Sequence, residues 1–142
     1  MEILNEMKVE FLSRSQNESF ARVAVSAFVS QLDPTVEELS DMKTAVSEAV
    51  TNAIIHGYEN QVGIITLLVR IFSDHIVEIT VSDQGRGIED IDQARQPLFT
   101  TGDSEERSGM GFTVMETFMD ELHIQSALKE GTAVVMRKCL TR

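Results

Sequence analysis

The sequence predicts a two-layer α/β sandwich of the α+β kind, with a mixed, mostly antiparallel sheet covered on one face by helices. Two observations point there. Two β-branched, apolar runs, Ile64 to Phe72 and Ile76 to Val81, flank Ser73-Asp74-His75 and read as a hairpin. Before them lie two amphipathic stretches, each opened by Ser or Thr with Glu three residues later, the capping-box signature of a helix start. A second strand pair, Leu122 to Leu128 and Thr132 to Cys139 around Lys129-Glu130-Gly131, closes the chain.

Taken in order, Ile3 to Leu12 forms the first strand and Ser15-Gln16-Asn17-Glu18 starts the first helix. Phe20, Val23, Ala24, Ala27 and Phe28 follow the i, i+3, i+4, i+7, i+8 spacing expected of a core-facing stripe. Asp33-Pro34 breaks the chain, and Thr35 with Glu38 opens the second helix. Val36, Leu39, Met42, Val46, Ala49, Val50 and Ala53 share one of its faces, leaving Glu48 and Asn52 nearly opposite. Gly57 is expected to end this helix as a left-handed C′ residue.

A short helix is expected over Ile88 to Arg95, after the hairpin. Gln96 to Ser108 has no hydrophobic period and is expected to be a long irregular loop of the kind used as a lid or binding loop. Ser108-Gly109-Met110-Gly111 then opens the last helix, with Phe112, Met115, Phe118 and Met119 as its apolar stripe. The methionines fall mostly on such stripes and read as core filler.

With 142 residues and 42% apolar composition, the chain is expected to form one domain, 1–142. Its formal net charge of −11, with 12 Lys and Arg, argues against bulk binding to a nucleic-acid backbone. A basic protein partner or a metal-chelated nucleotide suits this balance better. Cys139 is the single cysteine, which leaves no disulfide framework and no cysteine metal site and points to a reducing compartment. No run approaches the length of a membrane span and no signal-peptide pattern opens the chain, so the expectation is a soluble, cytoplasmic protein with no membrane association.

Two short stretches carry the chemistry. Glu48 to Gly57, at the end of the second helix, puts a carboxylate and an amide on one face four residues apart. Asp83-Gln84-Gly85-Arg86-Gly87, at a strand exit, puts a carboxylate beside a backbone bare enough to approach a ligand closely. Taken singly, the first is a solvated helix face and the second an ordinary turn. Their order, followed by a loop, Gly109-x-Gly111 and a late Gly131-Thr132, reads as a nucleotide site. There is no Gly-x-x-x-x-Gly-Lys-[Ser/Thr] stretch and no His-Arg-Asp or Asp-Phe-Gly set, which excludes a P-loop ATPase and an ordinary protein kinase.

This order of elements resembles the Bergerat-type ATP-binding fold shared by gyrase, Hsp90, histidine kinases and MutL, with an ATP lid at about 96–108. Four runs resemble more narrowly the anti-sigma F factors of spore-forming bacilli, which are serine kinases. These are Asn17 to Arg22, Val46 to Tyr58, Arg95 to Thr101 and Arg107 to Phe112. Where that family usually carries a Lys-Pro pair in the lid, this chain has Gly102-Asp103.

The resemblance implies ATP and Mg²⁺ as cofactors and a role for each site residue. Asn52 would coordinate Mg²⁺ through its side-chain oxygen, and Glu48 would accept or orient the proton of an incoming hydroxyl. Asp83 would accept a hydrogen bond from the exocyclic amine of adenine, favouring ATP over GTP, with Gly85 and Gly87 letting the strand exit and lid hinge pass close to the base. Gly109 and Gly111 would present N–H groups to phosphate oxygens, with Ser108 as N-cap and Met110 between them. Arg107 would reach the γ-phosphate, Thr100 and Thr101 would belong to the nucleotide site on the lid side, and Thr132 would supplement the adenine contacts. Arg22 matches a position that contacts the sigma factor.

The function implied is an ATP-dependent anti-sigma factor, acting as a homodimer, that inhibits a sporulation sigma factor and phosphorylates an anti-anti-sigma protein on serine, without direct contact to nucleic acid. Two alternatives stand beside it. One is a non-catalytic, ATP-gated sigma-binding module, and the other is a detached histidine-kinase catalytic domain.

Overall fold

The computed structural model describes residues 2–59, 61–88, 90–95 and 111–141. β1 (Ile3–Leu12) is followed by α1 (Gln16–Val29), a 3₁₀ turn over Ser30–Leu32 and α2 (Val36–Asn52), which continues as a π-helical turn over Ala53–Gly57. β2 (Ile64–Phe72) and β3 (Ile76–Asp83) form the expected hairpin, with Asp74 and His75 at positive φ in the turn. Then come α3 (Ile91–Ala94), α4 (Gly111–Phe118), β4 (Glu121–Ala127) and β5 (Gly131–Cys139). The sheet has five strands in the order β1-β2-β3-β5-β4, and every described pairing is antiparallel.

Strand alternation creates the two layers, because side chains point in turn to opposite faces. Ile65, Leu67 and Val69 of β2, Val77, Ile79 and Val81 of β3, and Val134 and Met136 of β5 are buried in one cluster with the helices. α2 supplies Met42, Ala45, Val46, Ala49 and Val50, and α4 supplies Met115. Met42, Met115 and Met136 are fully buried, as core filler should be.

The other sheet face carries a row of alternating charge. Glu6, Arg70, Glu78, Arg137 and Glu121 are register neighbours across β1, β2, β3, β5 and β4. Arg70 meets Glu6 at 2.7 Å, and Arg137 meets the buried Glu78 at 2.8 Å while lying over the Phe72 ring. Opposite charges directly across a ladder stabilise the pairing and fix its register.

The second capping box forms as expected. Glu38 N–H donates to Thr35 Oγ1 at 3.0 Å and Thr35 N–H to Glu38 Oε1 at 2.9 Å. The first does not. Ser15 sits in the right-handed helical region, where its hydroxyl makes no cap, and Glu18 is drawn to side chains of α2 instead.

The α1 stripe is also shifted from the one expected. Ala21, Val25 and Val29 are fully buried, while Phe20 is 46% exposed, Val23 62% exposed, and Ala27 exposed. The small and β-branched residues allow close approach to α2, and the Phe20 ring turns edge-on to Phe11 of β1, 6.1 Å between centroids. Ala24 and Phe28 lie at the margin of the core. Val36, assigned to the α2 core face, is 87% exposed, whereas Glu38 of the same turn is buried and Leu39 packs against the core. The expected helix over Ile88 to Arg95 contracts to Ile91–Ala94, with Asp90 capping Gln93 N–H at 3.0 Å.

Candidate functional site

Glu48 and Asn52 are both half-buried, one turn apart near the C-terminal end of α2, roughly 6 Å along the axis. The chain runs on through the π turn, and Tyr58 N–H closes it on Ala53 O at 3.0 Å. Gly57 is not left-handed, contrary to expectation; its glycine character answers a close approach. A Cβ there would lie 2.9 Å from the carboxylate of Asp83. The turn that carries the helix end away therefore abuts the second motif.

Asp83 is the last residue of β3 and is buried. Burial pushes its carboxyl above the ordinary aspartate range, and hydrogen bonds from the backbone N–H groups of Gly85 and Thr132 only partly offset that. Gly85 N–H donates to Oδ1 at 2.8 Å. Gly85 itself has no room for a side chain, since a Cβ would fall 2.1 Å from Gly57 O, and Arg86 N–H donates to that same oxygen at 2.8 Å. A buried carboxylate thus has bare backbone on two sides. Such a group favours a neutral hydrogen-bond donor from a ligand, which restores part of the lost hydration.

Gly87, at φ +77°, lies against Ala127, where a Cβ would fall 2.1 Å from the carbonyl oxygen. Thr132 is the register partner of Asp83 on β5. Its Oγ1 is 2.9 Å from Ser126 Oγ, which also accepts Ile88 N–H at 2.7 Å. Ser126 thereby ties Thr132 to the chain leaving the Asp83 motif. Lys129 N–H adds a bond to Arg86 O at 2.7 Å.

Gly111 is buried at the first residue of α4. Thr100, Thr101, Arg107, Ser108, Gly109 and Met110 lie outside the described residues, as do Gly102 and Asp103. The structure therefore brings Asp83, Gly85, Gly87 and Thr132 together and joins them to Asn52 through Gly57.

Arg22 lies elsewhere, between α1 and α2. Its Nη1 donates to Glu18 Oε1 at 2.7 Å and to Ser47 Oγ at 2.8 Å, while Thr51 Oγ1 meets Glu18 Oε2 at 2.5 Å. Glu18, expected only as a helix cap, here meets Ser47 and Thr51, which sit four residues apart beside Glu48 and Asn52 and carry no local sequence signal of this contact. Tyr58, directly after Gly57, also joins the site without a local sequence signal. Its hydroxyl accepts Gln84 N–H at 2.8 Å.

Among the described residues no group of three or more His, Cys, Asp or Glu gathers as a metal site. Asn52 offers a neutral carbonyl oxygen, the donor class that suits Mg²⁺ held mainly by phosphate and water oxygens. No helix among the described residues is long and apolar enough to cross a membrane.

Residues 12–138 match the family described as histidine kinase-like ATPase domain. An anti-sigma F factor of Thermoanaerobacter sp. (strain X514) is 63% identical over 138 residues, covering 97% of this chain and 96% of the relative. The anti-sigma F factor of Caldanaerobacter subterraneus subsp. tengcongensis is 61% identical over 142 residues, covering 100% and 99%. The fold resembles the crystal structure of the RsbU and RsbW domains of a Mycobacterium tuberculosis protein, with TM-score 0.71 at 20% identity over 97% of this chain and 32% of that one. It also resembles the mycobacterial sensor histidine kinase MprB, with TM-score 0.60 at 15% identity over 93% and 97%.

Proposed function

Because the chain belongs to the anti-sigma F factors, within the histidine kinase-like ATPase domain family, we propose that it is an ATP-dependent sigma-factor inhibitor that also transfers phosphate to a serine of an anti-anti-sigma protein. The observation that carries the nucleotide half of this reading is the buried Asp83 carboxylate, framed by Gly57 and Gly85 at the end of the helix that presents Glu48 and Asn52.

The adenine amine would donate to Asp83, and Thr132 would contribute beside it. Asn52 would hold Mg²⁺, whose charge neutralises the phosphate oxygens when bound. Glu48, one turn away, would orient the partner's serine hydroxyl and take its proton as the oxygen attacks the γ-phosphorus; ADP leaves with the electrons of the broken P–O bond. Gly111, with Ser108, Gly109 and Met110, would receive the phosphates, and Arg107 with Thr100 and Thr101 would close on them from the lid.

Arg22 would form part of the surface that captures the sigma factor, with a homodimer as the capturing species in the cytoplasm. The γ-phosphate would bias competition between the sigma factor and its displacer at that surface. An ATP-gated module without turnover is the second reading, favoured by Gly102-Asp103 standing where the family usually has Lys-Pro.

Capture of a sporulation sigma factor on immobilised protein, compared in ATP and in ADP, tests the binding half. Retention in ATP that falls in ADP supports the reading. Retention independent of nucleotide overturns it.

A further inference from the structure

Beside the backbone bonds of Arg86 to Gly57 and Lys129, the turn that carries Asp83 is held from outside by a hydroxyl. Tyr58 Oη accepts the N–H of Gln84 at 2.8 Å and donates its single proton to Ile64 O at 2.6 Å. A phenol has only one proton, so the bond to Ile64 O fixes the polarity and leaves a lone pair for Gln84.

Tyr58 is itself braced. Its ring lies so close to Gly63 that a Cβ there would fall 2.3 Å from the ring. Gly63 is tied to the buried Ser13 by two hydrogen bonds: Ser13 N–H donates to Gly63 O at 2.8 Å, and Gly63 N–H donates to Ser13 Oγ at 2.9 Å. A continuous path therefore runs from the end of β1 through Gly63 and Tyr58 to Gln84. Gly85, the next residue, donates to Asp83 Oδ1 at 2.8 Å. Fixing Gln84 fixes Gly85, whose N–H orients the Asp83 carboxylate together with the N–H of Thr132.

We propose that Tyr58 is a positioning residue for base selection, holding the Asp83–Gly85 turn so that the Asp83 carboxylate meets the exocyclic amine of a 6-aminopurine nucleotide. This rests on the assignment of Asp83 to the adenine. Tyr58 touches neither base nor phosphate; it acts through Gln84 and Gly85. Loosening the turn lets the carboxylate rotate, which penalises a ligand that uses the amine and spares one that lacks it.

The test measures equilibrium binding of ATP and of inosine triphosphate, each with Mg²⁺, to the wild-type protein and to Tyr58→Phe. Inosine triphosphate keeps the sugar and phosphates and replaces the amine with a carbonyl. The wild type should prefer ATP, and Tyr58→Phe should weaken ATP by about tenfold, the order of one good hydrogen bond, while changing inosine triphosphate by less than about twofold. A second variant, Gly63→Ala, keeps the hydroxyl but pushes the ring, and should shrink the preference in the same direction. Amide exchange at Gln84 should accelerate in Tyr58→Phe. If both nucleotides weaken equally, or the preference and the Gln84 exchange rate stay at wild-type values, the proposal is overturned. A wild type that does not distinguish the two nucleotides removes Asp83 from the base site, and the role of Tyr58 falls with it.

Discussion

A Cβ on Gly57 would sit 2.9 Å from the carboxylate carbon and both carboxylate oxygens of Asp83. The end of the Glu48–Asn52 helix and the exit of the third strand are therefore one unit. An added methyl must move the carboxylate, which is already held by Gly85 N–H. Gly57→Ala is expected to lower ATP affinity by about tenfold or more, since each 1.4 kcal/mol of lost interaction is a factor of ten. Calorimetric titration of ATP checks this, and unchanged affinity would show that the carboxylate can shift without cost.

Asp83 sets function against stability. Its carboxyl is raised by burial, so its folded value lies above its unfolded one. Such a group contributes stability below the unfolded value and loses it as pH rises through the folded value, so at neutral pH the ionised form burdens the empty protein. Asp83→Asn removes that burden and keeps an oxygen for Gly85 N–H. The variant should melt at or above the wild-type temperature without nucleotide, and should lose the rise that ATP gives, about 2.7 kcal/mol at a hundredfold excess over Kd. Thermal melts with and without Mg²⁺-ATP decide it.

Glu38 has the opposite sign. It is buried, and desolvation acts to raise its carboxyl, but hydrogen bonds from Thr35 and from Thr141, at 2.8 Å and 3.1 Å to Oε2, outweigh that and lower it. Its stabilising contribution is present above the ordinary glutamate range and is lost as pH falls through the lower folded value. Glu38→Gln should therefore be less stable than wild type near neutrality, with the gap closing at acid pH. Denaturant midpoints along a pH series check the closing gap.

Arg22 gives a separate test of the partner surface. Its ion pair with Glu18 is half-exposed, so Arg22→Ala should cost only about 0–1 kcal/mol of stability. ATP affinity should stay within about twofold, while capture of the sigma factor should fall sharply. Loss of ATP binding together with capture would place Arg22 in the nucleotide site instead.

The strands, both main helices and the second capping box were legible because period, β-branching and the Thr35–Glu38 spacing are local signals. The proximity of Asp83, Gly85 and Gly87 to Thr132 was reached through the family resemblance, since β5 returns beside β3 only in three dimensions. What local rules misread has a tertiary cause. Ser15 and Glu18 have capping-box spacing, yet Ser47 and Thr51 take the carboxylate across the α1–α2 interface, with Arg22 one turn along α1. Gly57 looks like a helix terminator, but its reason lies 26 residues away at Asp83. The α1 stripe is offset because Phe11 of the neighbouring strand, at the margin of the core, gives Phe20 an edge-on partner there.

The central claim is phosphate transfer from ATP to serine with Glu48 handling the proton. The most direct measurement mixes the protein, Mg²⁺, γ-labelled ATP and the anti-anti-sigma protein, and follows acid-stable label on that partner for wild type and Glu48→Gln. The account predicts serine labelling by the wild type and a loss of at least about a hundredfold in the variant, with ATP binding retained. Labelling by Glu48→Gln at the wild-type rate would contradict it. So would tight ATP binding by the wild type with no acid-stable label at all.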